Sequence, residues 1–312
     1  MAKRKLYRFP LYLLVRLTAG FAGLLPRSVL SMVAHAVGQI GYRVISRQRR
    51  KIFENLRRVY GFKKSDKELH RMGSDVMKNF ALTGLDILKF PHLTASKVDR
   101  FVSTDETLGV YDDLLREGMG ILSITAHLGN WELLAGFFGL HGYRGAVVGR
   151  RIYYEPYNRW IVGLRKAVGV RTIYRDGSAK EILRLLRRNE VVGLLPDQDI
   201  DSVEGLFVPF LGKEAYTPIA PVRLALVSGA PILVNFLVRE PGNRYRVVIG
   251  KVIRPVVETT RQEAVFKYTA MWVKEFERVI QMYPEQWAWM HDRWKTMPQD
   301  VQKKRKESFI AL

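Results

Sequence analysis

The sequence predicts a mixed α/β domain, with a largely parallel central sheet flanked by helices, preceded by a helical membrane-associating segment. Three observations predict it. From about residue 100, strand-length apolar runs alternate with segments of helical period. Residues 1–60 interleave apolar stretches with 13 Lys and Arg against one acid, Glu54. The 312 residues are 47% hydrophobic, enough for a sizeable core and too apolar for a disordered chain. We divide the chain into a basic, apolar helical region (1–60) and an α/β domain (61–312).

The elements follow in order. Segment 11–26 contains Arg16 and ends at Pro26, shorter than the roughly 20 apolar residues of one clean span. A second apolar stretch, Val29 to Ile45, contains His35 and Gln39. Residues 5–46 therefore read as helices lying in or dipping into a bilayer, with basic residues on the phosphates. The alternative is an amphipathic hairpin packed on the domain. No small-residue cleavage site follows the apolar run, so a cleaved signal peptide is not expected. Residues 47–58 read as a basic amphipathic helix. Residues 65–90 continue as helix, with Leu69, Met72, Val76, Phe80 and Ile87 at helical spacing. Strands are expected at 120–126, 145–149, 170–174, 191–195, 231–238 and 245–251, and helices at 131–140, 156–168, 178–188, 218–228 and 261–283. Residues 287–295 are aromatic and basic, suiting either an interfacial belt or a packed terminal helix.

In sheets of this kind, sites form at the carboxyl ends of strands. His127 stands there, after the apolar run Gly120–Ala126, with Glu132 five residues on. Five helical residues rotate by about 140°, so the two side chains can converge only if His127 precedes the helix and Glu132 lies in its first turn. Gly129 and Asn130 suit such a turn, as a residue of free dihedrals and an N-cap. A carboxylate on one imidazole nitrogen would fix the tautomer and leave the other nitrogen as a general base. Free N–H groups at the helix start could steady a developing oxyanion.

Composition narrows the chemistry. The chain has no cysteine, which excludes a thiol nucleophile, disulfides and cysteine-ligated metal. No His-Glu-x-x-His spacing is present, and no metal or other cofactor is expected. A net charge of +21 seeks polyanions: nucleic acid, anionic headgroups or an acidic carrier protein.

Several ordered blocks carry a resemblance. Thr125-Ala126-His127-Leu128-Gly129-Asn130-Trp131-Glu132 resembles the catalytic block of the lipid A biosynthesis late acyltransferases (lauroyl and myristoyl transferases). These belong to the lysophospholipid acyltransferase superfamily with its His-x-x-x-x-Asp/Glu motif. Arg151 to Pro156 resembles the family's loop after the second strand, with Glu155 where many members have Asn. Arg165 sits where the family often has a helix arginine. Leu195-Pro196-Asp197-Gln198-Asp199 with Gly205–Gly212 resembles its Asp-x-Asp block. Gly229-Ala230-Pro231-Ile232 matches a shared strand entry, and Pro284–Trp287 through His291, Arg293, Trp294 and Lys295 resembles its C-terminal block.

The resemblance implies an O-acyltransferase at the cytoplasmic face of the inner membrane. His127, oriented by Glu132, would deprotonate a hydroxyl of a Kdo-bearing lipid A precursor, which attacks an acyl thioester. The donor would be acyl carrier protein or acyl-CoA. An acidic carrier would favour basic faces such as Arg47–Arg58 or Lys180–Arg188. Gly129, Asn130, Arg151, Arg165, Asp197 and Asp199 are candidate substrate-binding residues. Each arginine alone could equally be a surface ion pair. The two aspartates would bind sugar hydroxyls or orient the pocket arginines. Pro196-Asp197-Gln198-Asp199 lacks the arginine by which glycerol-phosphate acyltransferases grip phosphate, which argues against that acceptor. The alternatives are an acyltransferase for another glycolipid or lysophospholipid and, more remotely, a non-catalytic basic protein binding membrane or nucleic acid. No recognised nucleic-acid motif appears, so no nucleic-acid partner is expected.

Overall fold

The computed structural model describes residues 8–104 and 107–300. Residues 5–7 of the expected membrane segment lie outside the described residues. Four helices come first: α1 (Arg8–Leu24), α2 (Arg27–Val44), α3 (Ser46–Tyr60) and α4 (Asp66–Asp86). α4 opens on a capping box in which Ser65 and Glu68 each accept from the other's amide. Two orphan donors are thereby satisfied. The helix was expected to reach residue 90. It stops at Asp86, and Ile87–His92 tighten into a 3₁₀ turn containing Pro91, whose ring cannot continue an α-helix. α2 packs on α4 at Gly38, where a Cβ would stand 2.4 Å from the Lys78 Cα. Only glycine permits that approach. The outer faces leave Phe9, Leu17 and Phe21 of α1 and Met32, Ile40 and Val44 of α2 exposed. Among the described residues no helix is long and apolar enough to cross a membrane.

The α/β domain follows: α5 (Ala95–Val98), β1 (Val102–Ser103), α6 (Thr107–Arg116), β2 (Ile121–Ile124), α7 (Trp131–Leu140), β3 (Gly145–Gly149), α8 (Glu155–Ala167), β4 (Arg171–Tyr174), α9 (Ala179–Leu186), β5 (Val191–Leu194), β6 (Gly205–Phe210), β7 (Lys213–Pro218), α10 (Ala220–Ser228), β8 (Ile232–Glu240), β9 (Arg244–Ile253) and α11 (Arg261–Met282). Seven strands form one sheet in the order β1-β9-β8-β2-β5-β3-β4, and every neighbouring pair is parallel except β8–β9. All four residues of β2 are buried, as expected of a central strand covered on both faces. Its alternation sends Leu122 and Ile124 into one core cluster and Ile121 into the other. α9, α10 and α11 supply Leu185, Val222, Trp272 and Phe276 to the first cluster, and α7 supplies Leu133 and Phe137 to the second.

Five elements of this domain were not foreseen: α5, β1, α6 and the two strands β6 and β7. β1 is too short to show a pattern, and α6 follows it. The hairpin β6–β7 turns through Leu211 and Gly212, both at positive φ. Glycine suits such a turn, but a leucine there hides it from sequence reading. The aromatic end of the chain is neither belt nor helix. Trp287 is buried in extended chain and bridges to Leu128, and Trp289 is buried in the turn that follows.

Candidate active site

β2 and β5 are neighbours, with Ile124 opposite Leu194. His127 and Asp197 each lie three residues further on, so the register delivers both side chains to the same end of the sheet. The chain then bends at Gly129, whose φ is +61° and whose Cβ would meet the Leu237 carbonyl oxygen at 2.0 Å. The loop is held by neighbouring backbone: Gly129 N donates to Gln286 O and Asn130 N to Leu237 O, each at 2.9 Å. Asn130 caps α7 by accepting from Leu133 N at 2.9 Å. Its Nδ2 donates to Asp86, and the side chain is fully buried.

Asp197 is the partner of His127. Its Oδ1 lies 2.8 Å from His127 Nδ1, while its Oδ2 accepts from His127 N at 2.8 Å and from Trp287 Nε1 at 2.9 Å. The carboxyl is 2% exposed. Burial alone would raise its pKa, but the His127 charge and the bonds from His127 and Trp287 outweigh that and hold it well below the carboxylate range. Ionised Asp197 therefore accepts a proton-bearing Nδ1 and leaves His127 Nε2 as the basic nitrogen.

The expected His127–Glu132 bond is replaced by a different pairing. Both oxygens of Glu132 accept from Arg165, Oε1 from Nη2 at 2.6 Å and Oε2 from Nε at 2.9 Å. A planar guanidinium across the first turn of α7 matches a carboxylate better than a single imidazole N–H. Burial works against the Arg165 charge, but Glu132 more than compensates and raises its pKa.

The remaining sequence candidates separate. Arg151 is an exposed partner of Glu155, and Arg150 lines the cleft instead. Asp199 lies at the wall of the same cleft, buried, with its two oxygens accepting from Thr296 N and Oγ1. Gly129 and Asn130 are likewise buried in the loop rather than open to a ligand. Around the start of α7 the amides of Gly129, Asn130 and Leu133 are taken.

His127, Glu132 and Arg165 line a cleft of about 970 Å³ that also takes in Lys51, Gln198 and His291. None of the last three was expected there. Lys51 arrives on α3, far away in sequence. Gln198 Nε2 lies 3.3 Å from His127 Nε2 and 2.7 Å from His291 Nε2. Burial, and then the His127 charge, push His291 down to about 4, which leaves it neutral and able to accept from that amide. Among the described residues no group of three or more His, Cys, Asp or Glu converges on a point that could hold a metal ion.

The family of bacterial lipid A biosynthesis acyltransferases matches residues 1–296. A lipid A biosynthesis lauroyltransferase of Escherichia coli (strain K12) is 26% identical over 282 residues, 89% of each chain. A palmitoleoyltransferase of lipid A biosynthesis from the same organism is 26% identical over 196 residues, 60% of each chain. A phosphatidylinositol mannoside acyltransferase of Mycobacterium tuberculosis is 24% identical over 216 residues, 67% of this chain and 66% of its own. Since the match spans nearly the whole chain and these relatives are all acyltransferases, the protein belongs to the bacterial lipid A biosynthesis acyltransferase family and is an O-acyltransferase.

Proposed function

We propose that the protein transfers a fatty acyl chain from an acyl thioester, carried by acyl carrier protein or coenzyme A, to a hydroxyl of a lipid A precursor. The observation that carries the mechanism is the double grip of Asp197 on His127, through Nδ1 and through the backbone amide. His127 Nε2 takes the proton of the acceptor hydroxyl as its oxygen attacks the thioester carbonyl. The C–S bond then breaks, and the thiolate recovers that proton from His127. No acyl-enzyme is formed.

Glu132 acts through Arg165 in this scheme, holding a guanidinium in the cleft where it meets phosphate or carboxylate of the acceptor. Arg150 adds a further cation to the same cleft, beside Lys51. Asp199 and Asn130 serve as supports for the loops that carry Asp197 and Glu132. The exposed apolar faces of α1 and α2 lie in the inner-membrane interface on the cytoplasmic side, which brings the cleft to a lipid acceptor. The basic faces of α3 and α9 receive an acidic carrier.

A second reading keeps the chemistry and changes the acceptor to another glycolipid. It is favoured by the similarity to the mannoside acyltransferase. One experiment tests both. Purified protein in detergent is given acyl-carrier-protein thioesters and either a tetra-acylated Kdo-bearing lipid A precursor or a mannosylated phospholipid. Mass spectrometry then reads the gain of one acyl group, with His127→Ala as control. Gain on the lipid A precursor alone, lost in the variant, supports the first reading. Gain on the other lipid alone supports the second, and an active His127→Ala protein would overturn the mechanism.

A further inference from the structure

A second hollow, of about 250 Å³, lies among α2, α4 and the β8–β9 turn. Arg27, Ser31, His35, Asn79, Arg239 and Arg244 line it. Its cations are poorly matched. The Arg27 Nη1 is buried and has no hydrogen-bond partner among the described residues. That guanidinium lies over Phe101, 3.4 Å from the ring centre, and 5.2 Å from the centre of Tyr245. Two carboxylates also face the hollow, but both are engaged: Asp86 by Asn130 and Tyr245, Glu240 by Arg246. Nearby, Lys89 donates to the carbonyls of Gly23 and Leu25, and its pKa is depressed by burial and then by the Arg27 charge, with Asp86 opposing. Positive charge therefore outnumbers negative here, with Arg27, Arg239 and Arg244 against Asp86 once Glu240 is paired with Arg246.

We propose that this hollow binds a phosphate group, either the phosphate of an anionic lipid headgroup or free phosphate. Arg27 and Arg244 supply the charge, and the Ser31 hydroxyl supplies a neutral donor at the wall. A lipid source fits the surroundings, because Val29, Met32 and Val33 are exposed on the same helix and offer apolar surface beside the hollow. The site is also wired to the loop after His127. Arg239 donates to Asn79 Oδ1 at 3.3 Å and to the Gly129 carbonyl at 3.1 Å. An anion held here would steady that loop without entering the cleft.

The test reads binding and needs no substrate, so its outcome is independent of the acyl-transfer reading. Full-length protein in neutral detergent is titrated with inorganic phosphate, followed by thermal melting and by ³¹P NMR. It is then titrated with short-chain phosphatidylglycerol and, for comparison, short-chain phosphatidylcholine. A saturable phosphate-binding component is expected that Arg27→Gln and His35→Glu each weaken about tenfold and that Arg150→Gln keeps, whatever phosphate the cleft itself takes up. His35 is exposed on α2, so its replacement keeps the test valid if Arg27→Gln fails to fold. Tighter binding of phosphatidylglycerol than of phosphate, with no gain from phosphatidylcholine, identifies the lipid headgroup. Equal binding identifies free phosphate. Absence of saturable binding, or saturable binding with no component that the hollow substitutions weaken, would each overturn the proposal.

Discussion

Asp197→Asn is a near-isosteric change with a definite expected result. In the native protein Oδ2 accepts from His127 N and Trp287 Nε1, while Oδ1 faces His127 Nδ1 at 2.8 Å. Asparagine keeps the two Oδ2 bonds only by placing its carbonyl there. Its amide nitrogen then occupies the Oδ1 position, and a donor faces Nδ1. His127 must accept at Nδ1 and carry its proton on Nε2, the wrong tautomer for a base. The opposite flip strands both the His127 amide and the Trp287 indole N–H, at a cost of about 1–3 kcal/mol for each buried donor. The base is thus lost with little change in packing. We expect kcat to fall by about 10²–10⁴-fold, with a stability loss of about 1–3 kcal/mol for the missing charge-assisted bonds. Single-turnover acyl transfer followed by mass spectrometry measures the first, and urea unfolding the second. A folded Asp197→Asn enzyme within about threefold of wild-type kcat would refute the assignment of Asp197 as the orienting group.

Glu132→Gln leaves Arg165 charged and half-matched at a largely buried position, so stability should fall by about 3 kcal/mol. The double variant Glu132→Gln/Arg165→Gln should recover part of that stability and stay inactive; recovery of turnover would show the pair to be only structural. His291 has its folded pKa lowered to about 4 from 6.5, so below pH 6.5 the unfolded chain binds a proton that the folded chain refuses. Stability should therefore drop as pH falls, by about 2 kcal/mol at pH 5 from this group. His291→Asn should flatten the melting-temperature difference between pH 7 and pH 5, and an unchanged slope would contradict this account. Leu17→Ser with Met32→Ser removes two exposed apolar side chains from the proposed interface. Co-sedimentation with anionic vesicles should weaken about tenfold or more, and undiminished binding would point to another surface.

Much was legible in the chain itself. The sheet strands and their helices from residue 120 onward were read to within two or three residues, because apolar period and turn residues are local properties. The motif from His127 to Glu132 was also local, as were the positive φ of Gly129 and the cap at Asn130. What could not be read was which groups these side chains meet. Arg165 was singled out as a substrate ligand, but its bidentate pairing with Glu132 was not foreseen. Asp199 was a candidate for sugar hydroxyls, and Thr296 holds it in the interior.

The sequence by itself determined the secondary structure of the sheet, the motif at the exit of β2 and the basic, apolar character of the first two helices. Each depends on residues a few positions apart. The tertiary structure alone decided that His127 is oriented by Asp197, 70 residues away, that α3 brings Lys51 to the cleft, and that His291 reaches Gln198. The physical reason is register. β2 and β5 run parallel and in step, so two side chains equally far past paired residues arrive together, while a carboxylate within the same helix turn is carried to the guanidinium of the neighbouring helix.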